Sequence, residues 1–273
     1  RMSFVWTAMF SYQAMYAIQN GFMEAKNAAM TLNEQLQRMK SIMTDIEKQS
    51  IPAIKDSIID LAKTYGLSME ELGSSMYVIL SSNFNPEFAT KILEGSTKMA
   101  TAGLSSLQEA VSLMITSINA YGYSMDGITT LSDAFFEAVK VGRFTIGELG
   151  EDFATAATTA AIFGIDIREV LTALATMTNQ GIKTNEAITA LNRLMMNFAS
   201  GGSAEAKKIA KELGIEMNSN AIKAKGLAGL VRDLNGATEE QIVALTGSVR
   251  AFKAMASVMT DPERYEKFYK EIS

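Results

Sequence analysis

The chain has 273 residues, 48% of them hydrophobic and 20% charged, with a formal charge of −5. That is a folding composition, and its mild acidity argues against nucleic acid as the main partner, because phosphate binding needs a clustered positive surface. Cys and His are both absent, which excludes thiol and imidazole nucleophiles, His general bases, disulfides and thiolate or imidazole metal sites together. No enzyme signature remains, and no catalytic residue, cofactor or metal is assigned.

Only three prolines occur, Pro52, Pro86 and Pro262, so long helical stretches are permitted. The first such stretch has apolar residues at alternating steps of four and three. They are Phe4, Ala8, Met15, Ile18, Phe22, Ala25, Ala29, Leu32, Leu36, Met39, Met43 and Ile46, with Ser11 the one polar member of the series. This spacing is the seam of a left-handed coiled coil, and it predicts one long helix over 4–46 in a parallel homo-oligomer, a trimer being favoured. The seam then slips by five residues to Ile51 and continues through Ile54, Ile58 and Leu61, so a kink or restart is expected near Pro52. Met2–Met23 carries no charge. Its Ser, Thr, Gln and Asn residues and Gly21 favour a helix buried against partner helices, with membrane insertion as the alternative.

From residue 66 a different unit repeats: a glycine, an apolar residue, then a capping residue with an acid or amide three further on. It reads Gly66-Leu67-Ser68 with Glu71, Gly103-Leu104-Ser105 with Gln108, and Gly164-Ile165-Asp166 with Glu169. Gly142 shows it with one extra residue before Thr145 and Glu148, and Gly122 and Gly181 begin weaker copies. Glycine ends one helix in a left-handed conformation, and Ser, Thr or Asp caps the next. Helices are predicted over 53–65, 69–82, 87–101, 106–120, 125–140, 146–162, 167–179 and 184–199. Gly201-Gly202 marks a joint, Ser203 caps a short helix to Glu212, and residues 216–226 are polar and turn-rich. A helical pair is predicted at 227–235 and 238–259, and Asp261-Pro262 starts a charged terminal helix. No segment alternates as a strand. The fold class is all-α: a long coiled-coil-like helix over 1–65, a compact module of short capped helices over 66–200, and a C-terminal helical segment over 201–273.

Glu148, Glu151 and Asp152 lie near one helix start. Paired carboxylates serve glycosidases, but acids in a first turn also complement the helix dipole, and we read them as structural. The small-residue run Ala154–Ala161 suggests a buried central helix. Lys207, Lys208 and Lys211, with Lys223 and Lys225, read as solvated faces, so no specific nucleic-acid site is assigned.

From about Leu61 to Met259 the chain resembles the core domain of tape measure proteins of long-tailed bacteriophages. The carrying segments are Leu131–Phe136 with Val139–Gly142, Thr145–Leu149, Phe163-Gly164-Ile165, Ala175–Ile182, Ala187–Leu194, Glu212–Ile215 and Leu245–Ala251. The resemblance lies in their order and spacing. It implies a structural protein of the virion tail lumen, made in the host cytoplasm, that sets tail length and is released at DNA ejection. Its implied partners are the tail tube, the tail tip or baseplate, and the host membrane during ejection. The alternative is a membrane-active helical protein forming a channel in the host envelope. Fully helical, the chain would reach only about 410 Å, so it is expected to be a segment of a larger protein.

Overall fold

The computed structural model describes residues 23–103, 105–234, 236–248, 256, 258–259 and 261–273; for Glu151 it describes the backbone alone. Among these residues all regular structure is helical. The chain packs as two units, residues 1–94 and 95–273.

In the first unit, α1 covers residues 23–42, α2 Ile51–Tyr65 and α3 Met69–Ser81, and α4 (Pro86–Ala102) begins there. Apolar residues at helical spacing face inward: Leu32, Leu36, Met39 and Met43, then Ile51, Ile54, Ile58 and Leu61, then Leu72, Met76 and Ile79. Helices α1 and α3 approach closely at Gly73, where a Cβ would lie 2.8 Å from Gln35 Cγ. The Gln35 amide there donates to Ser74 Oγ at 3.4 Å.

The predicted helix over 4–46 stops at residue 42, and the chain bends and turns through 43–46. A local bond network causes the stop: the Glu47 carboxylate accepts from Thr44 N–H at 2.8 Å and from its hydroxyl at 2.7 Å, closing a turn that competes with helix. A 3₁₀ turn over Glu47–Ser50 leads into α2. Pro52 falls in the first turn of α2, where its missing N–H has no helical partner to lose.

The second unit contains α5 (Leu107–Tyr121), α6 (Ile128–Val141), α7 (Ile146–Ile162), α8 (Ile167–Asn179) and α9 (Thr184–Ala199). It continues with α10 (Ala204–Leu213), α11 (Ser219–Leu234), α12 (Glu239–Thr246) and α13 (Pro262–Ile272). Helix α8 is the centre: every residue from Val170 to Thr178 is buried, against α6, α7, α9, α11 and α13. Its threonines satisfy their hydroxyls on carbonyls one turn back, Thr172 on Arg168, Thr176 on Thr172 and Thr178 on Leu174. The central position expected for the Ala154–Ala161 run therefore belongs to α8. Helix α7 is one-sided, with Phe153, Ala156, Ala157 and Ala160 buried and Thr155, Thr158 and Ile162 exposed. Phe135 and Phe153 meet edge to face at 5.6 Å between ring centroids. The terminal helix packs on α6 and α8 through Tyr265, Phe268 and Ile272.

Two further boundaries differ from expectation. Residues 219–225, read as turn-rich, are helical because Asn218 Oδ1 accepts from Ala221 N–H at 2.8 Å and caps them. The single helix expected over 238–259 ends at Thr246, where Gly247 turns left-handed at φ 75 and its N–H closes on the Val243 carbonyl.

Candidate functional site

The helix junctions follow from local chemistry. Gly66, Gly122, Gly164 and Gly181 are left-handed, at φ 71, 68, 69 and 94. At Gly164 the next amide, Ile165 N–H, bonds back to the Ala160 carbonyl at 2.9 Å, which satisfies a carbonyl the helix end would leave free. Gly142 and Gly103 are different. Gly142 is extended, at φ −82 and ψ 176, and a Cβ there would meet the Phe144 ring. A Cβ at Gly103 would meet the Ile146 side chain. These two glycines make room for a neighbour where the repeat suggested a change of handedness.

Capping boxes form at Ser106 with Glu109 and at Thr145 with Glu148. The first lies one residue beyond the expected Ser105. The Glu109 carboxylate accepts from both the amide (2.9 Å) and the hydroxyl (2.8 Å) of Ser106, and this fixes the choice between adjacent serines. Glu148 also accepts from the Thr184 hydroxyl at 3.3 Å, tying α7 to α9. Its carboxylate is thus held by Thr145 and Thr184, while Asp152 is exposed.

The seam residues are divided. Phe4, Ala8, Met15, Ile18 and Phe22 lie outside the described residues. Leu32, Leu36, Met39 and Met43 are buried by the chain itself, whereas Ala25 and Ala29 are exposed and Ile46 is 79% exposed. Among the described residues, the seam positions on α1 are open only before Leu32.

A polar cluster that the sequence reading missed gathers at the start of α8. Asp166 caps the helix through Arg168 N–H (2.8 Å) and holds the Arg168 guanidinium through both carboxylate oxygens, at 2.9 and 2.5 Å. Burial pushes the Asp166 carboxyl upward, but the bonds and charge of Arg168 outweigh it and hold the group below its ordinary range. Glu169 stands where a capping-box acid would bond back to its own helix start. It reaches instead to α11, accepting from Leu227 N–H at 2.6 Å and Ala228 N–H at 3.5 Å. Burial pushes the Glu169 carboxyl upward more than these amides and Arg168 draw it down, and Asp166 adds to the rise. Tyr121 from α5 and Tyr265 from α13 lie in its field, and burial raises both phenols. The signal available in the sequence was an absence: no Ser, Thr, Asp or Asn stands just before the helix expected at 227, so its cap had to come from elsewhere.

Asp166, Arg168 and Glu169 are bonded as described, whereas the Tyr121 and Tyr265 hydroxyls are buried beside them without a hydrogen-bond partner among the described residues. Among the described residues no group of three or more Asp or Glu side chains could hold a metal ion, and no helix is long and apolar enough to cross a membrane.

The order of these capped helices can be set against known proteins. Residues 55–259 match the phage-related minor tail protein family. The chain belongs to that family. It is also 22% identical over 267 residues to a "Probable tape measure protein" of Clostridium phage phiCD119, covering 93% of this chain and 28% of the relative. The chain therefore spans less than a third of that relative's length. No solved structure matches it. The family match begins within α2 and runs past α12, so it takes in the junction glycines, the α8 core and the Glu169 cap together.

Proposed function

We propose that this chain is a segment of a tape measure protein, lying in the tail lumen, setting tail length during assembly and leaving at DNA ejection. The observation that carries the reading is the alignment of 93% of the chain with a relative named for that role. The physical character of the chain supports it. Long helical stretches without disulfides can be drawn through a narrow tube, because no covalent staple has to break. The chain acts as a homo-oligomer, a trimer, through the seam before Leu32, with the tail tube and tip proteins as partners. Its role is structural.

The test is to tag this segment within its parent protein and image tails before and after ejection. The expected result is density for the segment inside the tube before ejection and none afterwards. A tag accessible to antibody on the outer tube wall, or retained in emptied tails, would overturn the proposal.

A further inference from the structure

Helix α11 is two helical pieces joined at Gly226, which has φ 65 and ψ −173 inside the helical run. A helix that restarts exposes free N–H groups at its first turn, and these need acceptors. No local side chain supplies one at Leu227. The acceptor is the Glu169 carboxylate, from a helix 58 residues earlier in the chain. Gly226 is what allows the approach: a Cβ there would run into the Glu169 carboxylate, and its positive φ turns the two amides toward α8. The second piece, Leu227–Leu234, buries Leu227, Leu230, Val231 and Leu234. Its polar attachment at the break is this one carboxylate.

We propose that Glu169 and Gly226 form a charge-gated clasp, in which the ionisation of one carboxyl sets how firmly residues 227–234 dock on α8. The groups around the carboxyl fix the direction. From its own helix start, Asp166 opposes its ionisation and Arg168 favours it. Tyr121 on α5 and Tyr265 on α13 face it as neutral phenols. Helix α11 brings Lys223, packed over Gly164, and Arg232, whose charge reaches Tyr265. Among the described residues, α6, α7 and α9 add no charge that acts on it. Docking buries the carboxyl and raises its pKa, whereas opening returns it to water. The docked form therefore binds the proton more tightly, and docking weakens as pH rises through the displaced titration. The chain has no His and no Cys, so no side chain ordinarily titrates between the acids and the phenols and lysines. A response there that disappears in E169Q belongs to this carboxyl.

Hydrogen exchange of the Leu227–Val231 amides, corrected for intrinsic rates and followed from about pH 4 to about pH 8, reads the clasp directly. Protection in the wild type is expected to fall as pH rises, while E169Q stays flat. E169A leaves the amides without their acceptor and is expected to speed their exchange by about five- to thirtyfold, with the α9 amides changed by less than about twofold. Wild-type protection that is flat or rising with pH, or an E169Q slope equal to that of wild type, overturns the proposal. Equal acceleration of α9 in E169A overturns it too, because the side chain would then hold up the whole unit. If E169A does not fold, the comparison of E169Q with wild type decides alone.

Discussion

Glycine serves two purposes in this chain, and substitution separates them. At Gly164 the backbone is left-handed and a Cβ would press on the Lys223 side chain at 3.0 Å. Gly164→Val is expected to lower unfolding free energy by more than about 1 kcal/mol, because handedness and contact both oppose it. Gly66 has φ +71 but open space around it, so Gly66→Ala should cost only about 1 kcal/mol. Urea denaturation of both variants checks the pair; equal losses would show that the Lys223 contact is irrelevant. Asp166 and Glu169 likewise differ in sign. The Asp166 carboxyl is depressed on folding, so its stabilisation is present above its unfolded pKa and is lost as pH falls below it. The Glu169 carboxyl is raised, so its stabilisation is present below its unfolded pKa and is lost as pH rises through the folded value. Subtracting the pH–stability curve of D166N from that of wild type should therefore leave a slope on the acid side, and subtracting that of E169Q a slope of opposite sign at higher pH.

Helix starts carry much of the local specification. Thr145 accepts from Glu148 N–H while Glu148 accepts from Thr145 N–H, so Thr145→Ala leaves an amide of α7 free and should cost about 1 kcal/mol in thermal or urea unfolding. Asp152→Asn, on the exposed face of the same helix, should change stability by less than about 0.5 kcal/mol. Equal effects would mean that the box is not formed. Helix α8 needs another kind of support. Its ends are joined to neighbours by side chains: Asn179 donates to the Val141 carbonyl at 3.1 Å and accepts from Arg264 at 3.2 Å, linking α6, α8 and α13. The packing between α6 and α7 rests on larger groups. Phe135→Ala removes a fully buried ring against Phe153 and should cost about 3–5 kcal/mol, a loss that calorimetry or urea titration would register clearly.

Across the whole molecule, the proposed length-setting role predicts different contributions from the seam and from the capped module. Leu32, Leu36, Met39 and Met43 are already buried by the chain, so the proposed self-association through the seam would use the part before them. Sedimentation of the chain is expected to show an oligomer, and removal of residues 1–31 to leave a monomer; an unchanged oligomer after removal would place the contact elsewhere. In assembled tails, duplicating residues 23–42 should lengthen the tail by about 30 Å, the rise of that much helix. Duplicating the folded helices α5–α9 should add far less per residue if the unit stays packed, and the full helical rise if it is drawn out. Electron micrographs of tail length distinguish the two outcomes.

Helix identity and punctuation were legible in the sequence because they depend on neighbours within a few positions. Glycine, an apolar residue and a cap state where a helix ends and the next begins, and α8 and α9 have the bounds that this chemistry predicts; α7 has its two predicted ends, but left-handed Gly150 (φ 48, ψ −153) breaks it within. Choices between equivalent local solutions were decided by geometry over the same short range, as with Ser106 over Ser105 and the Thr44–Glu47 turn that stops α1. What only tertiary structure decided depends on contacts distant in sequence. The burial of α8 on all sides requires five other helices around it. The need for glycine at Gly103 arises from the Ile146 side chain, which packs against it from a helix more than forty residues later. The turn-rich reading of 216–226 missed a local cap, Asn218 on Ala221, whereas the second half of α11 is capped by Glu169, a residue whose local pattern points back to its own helix. A capping acid within three residues can be read from spacing, whereas one that arrives from another helix exists only once both helices are packed.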